Sequence, residues 1–241
     1  MENERAIVVG ATSGIGRRVA ELLADAGYKV GVMGRRAELL GQLSESRPND
    51  FYAKAVDVRD TKAAIEGLSE LLAELGGVDL VFISSGWGDL NETLDFDIEK
   101  QTIDTNVAGF TCVAGWAFKV FERQNKGHLA AITSVAGLRG SWGAPSYNAS
   151  KAYQMNYLEA LRQKAKHQKS PIVVTDIRPG FVDTDMAKGD GLFWVVPVEK
   201  AAKQIFKAML RKKKIVYISK RWRLIAAFLK IVPNCVYDKM Q

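Results

Sequence analysis

Two cysteines in 241 residues, Cys112 and Cys235, are too few for a disulfide framework or a cysteine-built zinc site. No metal site is expected. Proline is scarce as well, with 6 residues, and no low-complexity tract, internal repeat or Ser/Gly linker marks a domain boundary. Long apolar runs are absent, and none approaches the roughly 18 residues needed to cross a bilayer. Residues 1–5 are polar rather than leader-like, so no signal peptide is expected, and the expected setting is a reducing, cytoplasmic one. What remains is an ordinary globular composition, 47% hydrophobic and 25% charged with 21 glycines, which excludes disorder and collagen-like order. The length fits one large α/β domain better than two independent ones.

Charge is unevenly placed. Residues 199–241 hold 12 Lys or Arg against Glu199 and Asp238, a balance of +10, whereas residues 1–198 hold 22 basic against 25 acidic groups. A slightly acidic body therefore carries a basic C-terminal segment, which bears on partners rather than on fold.

Short β-rich apolar runs at 6–9, 29–33, 51–56, 80–84, 128–133, 172–177 and 215–218 alternate with helical spacing at 14–26, 61–75, 98–122 and 146–166. In the 61–75 stretch, Ala64, Leu68, Leu71, Leu72 and Leu75 fall on one face. Such alternation predicts an α/β, Rossmann-like, doubly wound parallel sheet of about seven strands, with helices on both faces and right-handed crossovers.

Where the first strand meets the first helix the chain reads Val9-Gly-Ala-Thr-Ser-Gly-Ile-Gly16. Gly10, Gly14 and Gly16 permit a tight turn and close approach, and the free N–H groups of a helix start attract a pyrophosphate. By itself the pattern also suits a turn that binds nothing. The second strand ends Met33-Gly34-Arg35-Arg36, with no acid before Glu38. Nicotinamide-binding folds that prefer NAD place a carboxylate there for the ribose hydroxyls. A guanidinium suits a 2′-phosphate instead, so NADP(H) is favoured over NAD(H), with Thr12 and Ser13 as further hydroxyl donors. The plainer alternative is that Arg35 and Arg36 cap a strand in solvent.

Residues 147–151 read Tyr-Asn-Ala-Ser-Lys, placing Tyr147 and Lys151 on one helical face. An ammonium about 5 Å from the phenol, at an effective dielectric of about 20, favours phenolate by roughly 3 kcal/mol, or about two pKa units. A Tyr-x-x-x-Lys spacing alone is common and often structural. Here, however, Ser134 ends a strand at the carboxyl edge of the sheet, where open α/β sheets bind ligands. Asn106 lies inside a helical stretch, an odd place for a residue that competes for backbone hydrogen bonds. Arg178-Pro-Gly-Phe-Val-Asp-Thr184 brings a rigid turn and a hydroxyl to the same edge.

Over roughly residues 4–218 these motifs, in this order, resemble the short-chain dehydrogenase/reductase family of about 250 residues. The resemblance implies a catalytic domain over 1–218 with an extension at 219–241. It implies that Tyr147 is the general acid or base, that Lys151 depresses its pKa and binds the nicotinamide ribose, and that Ser134 bonds the substrate oxygen. Asn106 would hold a water linking Lys151 to solvent. Gly10, Thr12, Ser13, Gly14, Ile15, Gly16, Arg35, Arg36 and Gly86 would line the cofactor site. Asp57 and Val58 would meet the adenine, while Pro179, Gly180, Val182 and Thr184 would position carboxamide and phosphates. The implied activity is NADP(H)-dependent hydride transfer at a carbonyl or secondary alcohol, by a homodimer or homotetramer; the alternative is a non-catalytic NADP-binding scaffold or redox sensor at a membrane. Two positions depart from the family: Val9 stands where Thr is usual, and Ser84-Ser85-Gly86 where Asn-Ala-Gly is usual. Serine hydroxyls are expected to bond neighbouring backbone there.

Leu192, Phe193, Trp194, Val195 and Val196 make the 186–196 stretch apolar, as a lid over a hydrophobic substrate would be, with Trp87 and Trp142 near other pocket-forming loops. They would equally suit packing on helices or a second subunit. Beyond the last strand, a helix is expected over 220–232. Trp222, Leu224, Ile225, Phe228, Leu229, Ile231 and Val232 cover about half its circumference, Lys220, Arg223 and Lys230 lie opposite, and Arg221 intrudes on the apolar side. The pattern suits a helix lying on an anionic membrane, at the inner face of that membrane, and equally one roofing the pocket or joining subunits. No nucleic-acid recognition motif accompanies the charge, and no nucleic-acid partner is expected.

Overall fold

The computed structural model describes residues 4–184, 186 and 193–239. Its seven strands are β1 (Arg5–Val9), β2 (Lys29–Gly34), β3 (Phe51–Ala55), β4 (Leu80–Ile83), β5 (Gly127–Ile132), β6 (Ile172–Pro179) and β7 (Ile215–Ile218). They form one parallel sheet in the order β3-β2-β1-β4-β5-β6-β7. The order reverses at β1, which pairs with β2 on one side and β4 on the other. That leaves a crevice beyond the carboxyl ends of β1 and β4.

Side chains alternating along each strand divide the interior into two cores. On one face, Ile7, Val9, Val81 and Ile83 meet Leu68 and Leu71 of α3 (Thr61–Leu75), Phe118 and Phe121 of α5 (Phe110–Gln124), and Leu158 of α6 (Pro145–His167). On the other, Ala6, Val8 and Phe82 meet Val19 and Leu23 of α1 (Gly14–Asp25), Leu40 of α2 (Ala37–Ser46) and Ile205 of α7 (Val198–Leu210). The helix α3 starts where the Asp60 carboxylate accepts from the N–H groups of Lys62 and Ala63, and stops at Gly76, whose φ is 70°.

The helical stretch expected over 98–122 is not continuous. α4 (Phe96–Ile103) passes through a π-helical turn, Asp104–Gly109, into α5. The wider turn contains Asn106 and directs it beneath the crevice, a placement that α-helical periodicity could not foresee. The C-terminal helix α8 (Trp222–Ile231) is followed by the single turn α9 (Asn234–Tyr237). No helix among the described residues is long and apolar enough to cross a membrane.

The two sides of the fold differ sharply in what a truncation removes. Phe82 is fully buried in the sheet, whereas Leu224 on α8 is 72% exposed. In urea unfolding, Phe82→Ala is expected to cost about 3–5 kcal/mol, and Leu224→Ala less than about 0.5 kcal/mol. Comparable losses for the two would contradict this placement of the core.

Candidate active site

The crevice at the carboxyl edge holds two adjoining cavities. The larger, about 580 Å³, is lined by Gly10, Thr12, Ser13, Gly14 and Ile15 after β1, by Arg35 and Arg36 after β2, and by Asp57 and Val58 after β3. Gly86 and Thr184 complete it. The smaller, about 320 Å³, is lined by Ser134, Tyr147, Lys151, Pro179, Gly180 and Val182. Ile15, Gly86, Ile132 and Thr184 border both, so the cavities meet along a shared edge. Gly16 lies beneath the turn and Asn106 behind the wall; neither lines a cavity.

The first loop has the form of a phosphate cradle. Gly10 has a φ of +91°, and a Cβ there would stand 2.4 Å from the Ser85 nitrogen. A Cβ on Gly16 would meet the Gly10 carbonyl oxygen at 2.0 Å, so the helix start can come this close to the strand only without side chains. Arg36 folds back onto the loop. Its Nη2 donates to Thr12 Oγ1 at 2.7 Å and to Ser13 Oγ at 2.6 Å, gathering a cation and two hydroxyls at one corner of the larger cavity. Arg35 is exposed at the same rim. Asp57 is engaged by Arg59, whose Nη2 donates at 2.7 Å, and this pairing holds the carboxyl below its usual range against the opposing effect of burial. At the Ser84-Ser85 departure, the backbone N–H groups donate to the Val9 carbonyl at 2.8 and 2.9 Å. The Ser85 hydroxyl does not bond neighbouring backbone as expected: it is buried, without a partner, on the wall of the larger cavity. An unsatisfied hydroxyl, a glycine-only cradle and two guanidiniums together fit a phosphorylated dinucleotide.

In the smaller cavity, Ser134 precedes a short 3₁₀ turn, Val135–Leu138, and its Oγ accepts from the Ala136 N–H at 3.1 Å. That leaves the hydroxyl proton free to donate, and the Tyr147 phenol lies in the wall of the same cavity. Asn148, next in sequence to Tyr147, donates to the carbonyls of Ala136 and Arg139, both at 2.9 Å, tying α6 to the loop that carries Ser134. Lys151 is buried, its ammonium 5.7 Å from the Tyr147 ring centre. It donates to Gln154 Oε1 at 3.1 Å and to the Ile132 carbonyl at 3.4 Å. Gln154 is wholly buried, and its Nε2 donates to the main-chain oxygen of Asn106 at 2.9 Å. The Asn106 side chain meanwhile clamps the backbone of Trp87, donating at 2.6 Å and accepting at 2.9 Å. Gln154 thus bridges Lys151 and the main chain of Asn106 directly.

The electrostatics correct one expectation. Burial pushes the Tyr147 phenol up, and the Ser134 hydrogen bond only partly opposes it, so Lys151 does not bring Tyr147 into the phenolate range. Lys151 is itself desolvated: burial lowers its pKa to about 8, against the favourable charge of Asp176. Asp176 is fully buried, accepting from Thr133 Oγ1 at 2.6 Å and from Arg178 Nε at 2.7 Å.

The C-terminal helix belongs to this site. Trp222 and Leu229 of α8 line the smaller cavity. Trp222 is 4% exposed; its indole lies against Gly180 and stacks on Phe193 with ring centres 5.2 Å apart. Arg139 latches the helix, Nη1 donating to the Val232 carbonyl at 3.1 Å and Nη2 to Asn234 Oδ1 at 2.8 Å, while its guanidinium sits 4.2 Å from the Tyr237 ring centre. The apolar half-circumference thus splits into an inward side and an outward stripe, in which Phe228 and Ile231 are 45% and 79% exposed. Of the other aromatic expectations, Trp87 lines the larger cavity, Trp142 is exposed and lines neither cavity, and Leu192 lies outside the described residues. Gln154, Asn148 and Arg139 were not singled out in the sequence. Only the helical offset of Gln154 from Lys151 could have drawn notice to it.

The sequence model of the family described as short chain dehydrogenase matches residues 4–191. An oxidoreductase of Myxococcus xanthus is 31% identical over 247 residues, covering 99% of this chain and 96% of the relative. A probable NADP-dependent dehydrogenase of Haemophilus influenzae is 31% identical over 183 residues, 75% of this chain and 72% of the relative. Among solved structures, a short-chain dehydrogenase from Streptomyces avermitilis superposes with a TM-score of 0.82 at 22% identity, covering 95% of this chain and 92% of that one.

Lys151 should titrate with a midpoint near 8, followed by NMR of its Cε resonance. Gln154→Leu removes a carbonyl oxygen that favours the charged form, so the midpoint should fall further. A midpoint close to the unperturbed value of about 10.4, or one unmoved by Gln154→Leu, would contradict this picture of a desolvated, carbonyl-held cation.

Proposed function

Because the chain belongs to the short-chain dehydrogenase family of oxidoreductases, we propose that it is an NADP(H)-dependent enzyme transferring hydride between the nicotinamide and a carbonyl or secondary alcohol of a hydrophobic substrate. The observation that carries the reading is the junction of the two cavities. A larger cleft lined by the glycine loop, Arg35 and Arg36 opens into a smaller, mostly apolar one with Ser134 and Tyr147 in its wall. When bound, the cofactor supplies the hydride chemistry; the chain supplies binding, orientation and the proton.

The Ser134 proton is available to a carbonyl oxygen and helps stabilise charge that develops on it. Burial keeps the Tyr147 phenol protonated at neutral pH, which equips it to give a proton to that same oxygen during reduction. The Lys151 ammonium, held by Gln154 and the Ile132 carbonyl, lies in the wall of the smaller cavity and would bind the cofactor's ribose. Water is kept from the reacting oxygen by apolar walls that include Trp222, Leu229 and Phe181, and an apolar substrate gains roughly 25 cal/mol per Å² of surface buried against them.

Preference for NADP(H) is supported by the Arg36–Thr12–Ser13 corner and by the absence of an acid at the end of β2. The outward stripe of Leu224, Phe228 and Ile231, with Arg223 and Lys230 on the same helix and Arg221 just before it, supports contact with an anionic membrane surface from which an apolar substrate would be drawn.

Tyr147→Phe keeps the ring and removes the proton, so turnover should fall about 100-fold or more while NADPH affinity stays within a few-fold of wild type. Retention of more than about a tenth of turnover would rule out the tyrosine as acid. Removing the charge at Arg36 with Arg36→Ala should weaken NADPH by about 10- to 150-fold, as expected for a charge-assisted contact. Only NADPH carries the 2′-phosphate, so NADH affinity should change little; equal losses in calorimetric titration would assign Arg36 to holding the loop.

A further inference from the structure

Apart from these two cavities, a recess of about 360 Å³ lies on the far side of the aromatic wall. One flank is apolar, with Trp194 and Val195 exposed at 42% and 40%. The other carries Lys200 and Gln204 from the first turns of α7 and Lys220 and Arg221 from the approach to α8. Among the described residues, no acidic side chain lines it. The Arg221 guanidinium lies 5.7 Å from the Trp194 ring centre, so the cationic and apolar flanks meet at that contact. Three cations without an internal acid repel cations and give a neutral solute no advantage, whereas a dianionic head could take donors from all three. An apolar flank beside them adds nothing for a free ion and favours a ligand that carries a chain.

We infer that this recess binds the phosphate head of an anionic amphiphile. Lys200, Lys220 and Arg221 donate to the phosphate oxygens, and the start of the alkyl chain lies against Trp194 and Val195. The recess is coupled to the substrate cavity by a short path. Arg221 is joined directly to Trp222, and the Trp194 and Trp222 ring centres are 6.3 Å apart across the wall. Filling the recess therefore steadies the residues that shape one side of the cavity. The inference does not rest on the hydride chemistry, and binding can be read without turnover.

The test is calorimetric titration of the full chain with dodecyl phosphate below its micellar range, with dodecanol and with inorganic phosphate. Dodecyl phosphate should bind at least about tenfold more tightly than either, as one or more charge-assisted contacts imply. In the double variant Lys200→Ser/Lys220→Ser that advantage should shrink to within about twofold, while the unfolding midpoint and NADPH binding are unchanged. Equal affinity for dodecyl phosphate and dodecanol overturns the cationic site. Equal affinity for dodecyl phosphate and inorganic phosphate overturns the apolar flank. An advantage that survives in the double variant places the ligand elsewhere and overturns the assignment. Phosphatidylcholine vesicles containing phosphatidic acid then identify the source. Sedimentation of wild type but not of the double variant makes the ligand a membrane lipid, whereas dodecyl phosphate binding without sedimentation makes it a soluble amphiphile.

Discussion

A parallel sheet covered on both faces leaves polar chemistry little room except at its edges. The strands β1, β2, β4, β5 and β6 are shielded by helices, whereas Ala53 and Ala55 of the edge strand β3 are exposed, and aliphatic and aromatic side chains fill the cores on either side. The polar groups inside the sheet are paired, Asp176 with Arg178 and His128 with Thr175, and the others collect where the strands end. At the carboxyl edge they find donors and acceptors from the loops, and the reversal of strand order at β1 parts those loops into a crevice. The glycine loop, the two arginines after β2, Ser134 and the Pro179-Gly180 turn come together for this single reason, although they lie far apart in sequence.

The same constraint explains why the site needs so many buried partners. Lys151 is a desolvated cation, and its charge is tolerable because carbonyl oxygens from Ile132 and Gln154 face it and the Asp176 carboxylate acts on it from behind. Gln154 is in turn fixed by the main chain of Asn106, which the π-helical turn carries into place, and the Asn106 side chain holds the loop at Trp87. The network binds α4–α5, α6 and the loop after β4 into one rigid support for the two cavities. Gly86 sits against this network, and a Cβ there would come into ordinary contact with the Lys151 nitrogen at 3.5 Å and the Asn106 Oδ1 at 3.6 Å.

Most of the fold was legible because strand and helix periods are local. All seven strands lie where alternation and β-branched runs placed them, with ends differing by a residue or two, as at β6, which runs on to Pro179. The π-helical turn was not legible, since a single wider turn only rotates the apolar face partway along a long helical stretch, which the few residues on either side do not resolve. At the site, residue types and order pointed to Ser134, Tyr147 and Lys151, but the direction of the Tyr147 shift did not follow. Spacing reveals proximity on a helix face and says nothing of burial, and burial is what dominates here. For the C-terminal helix the sequence showed a broad apolar surface without saying which part faces the body. The indole of Trp222 turns inward because Gly180 leaves it space and Phe193 offers a stacking surface, while Leu224 and Ile231 stay outside.

Arg139 gives this arrangement its purpose: by fastening the end of α8 to the loop after β5, it lets a segment remote in sequence wall the cavity beside Ser134. The central proposal is that the joined cavities carry a hydride from NADPH to a hydrophobic carbonyl compound. The most direct measurement is mass spectrometry of the product formed from NADPH deuterated on the transferring carbon of the nicotinamide, with a panel of apolar ketones. The account predicts one deuterium on the carbinol carbon of the alcohol produced. Ketones returned unchanged, with NADPH bound but its label retained, would contradict it.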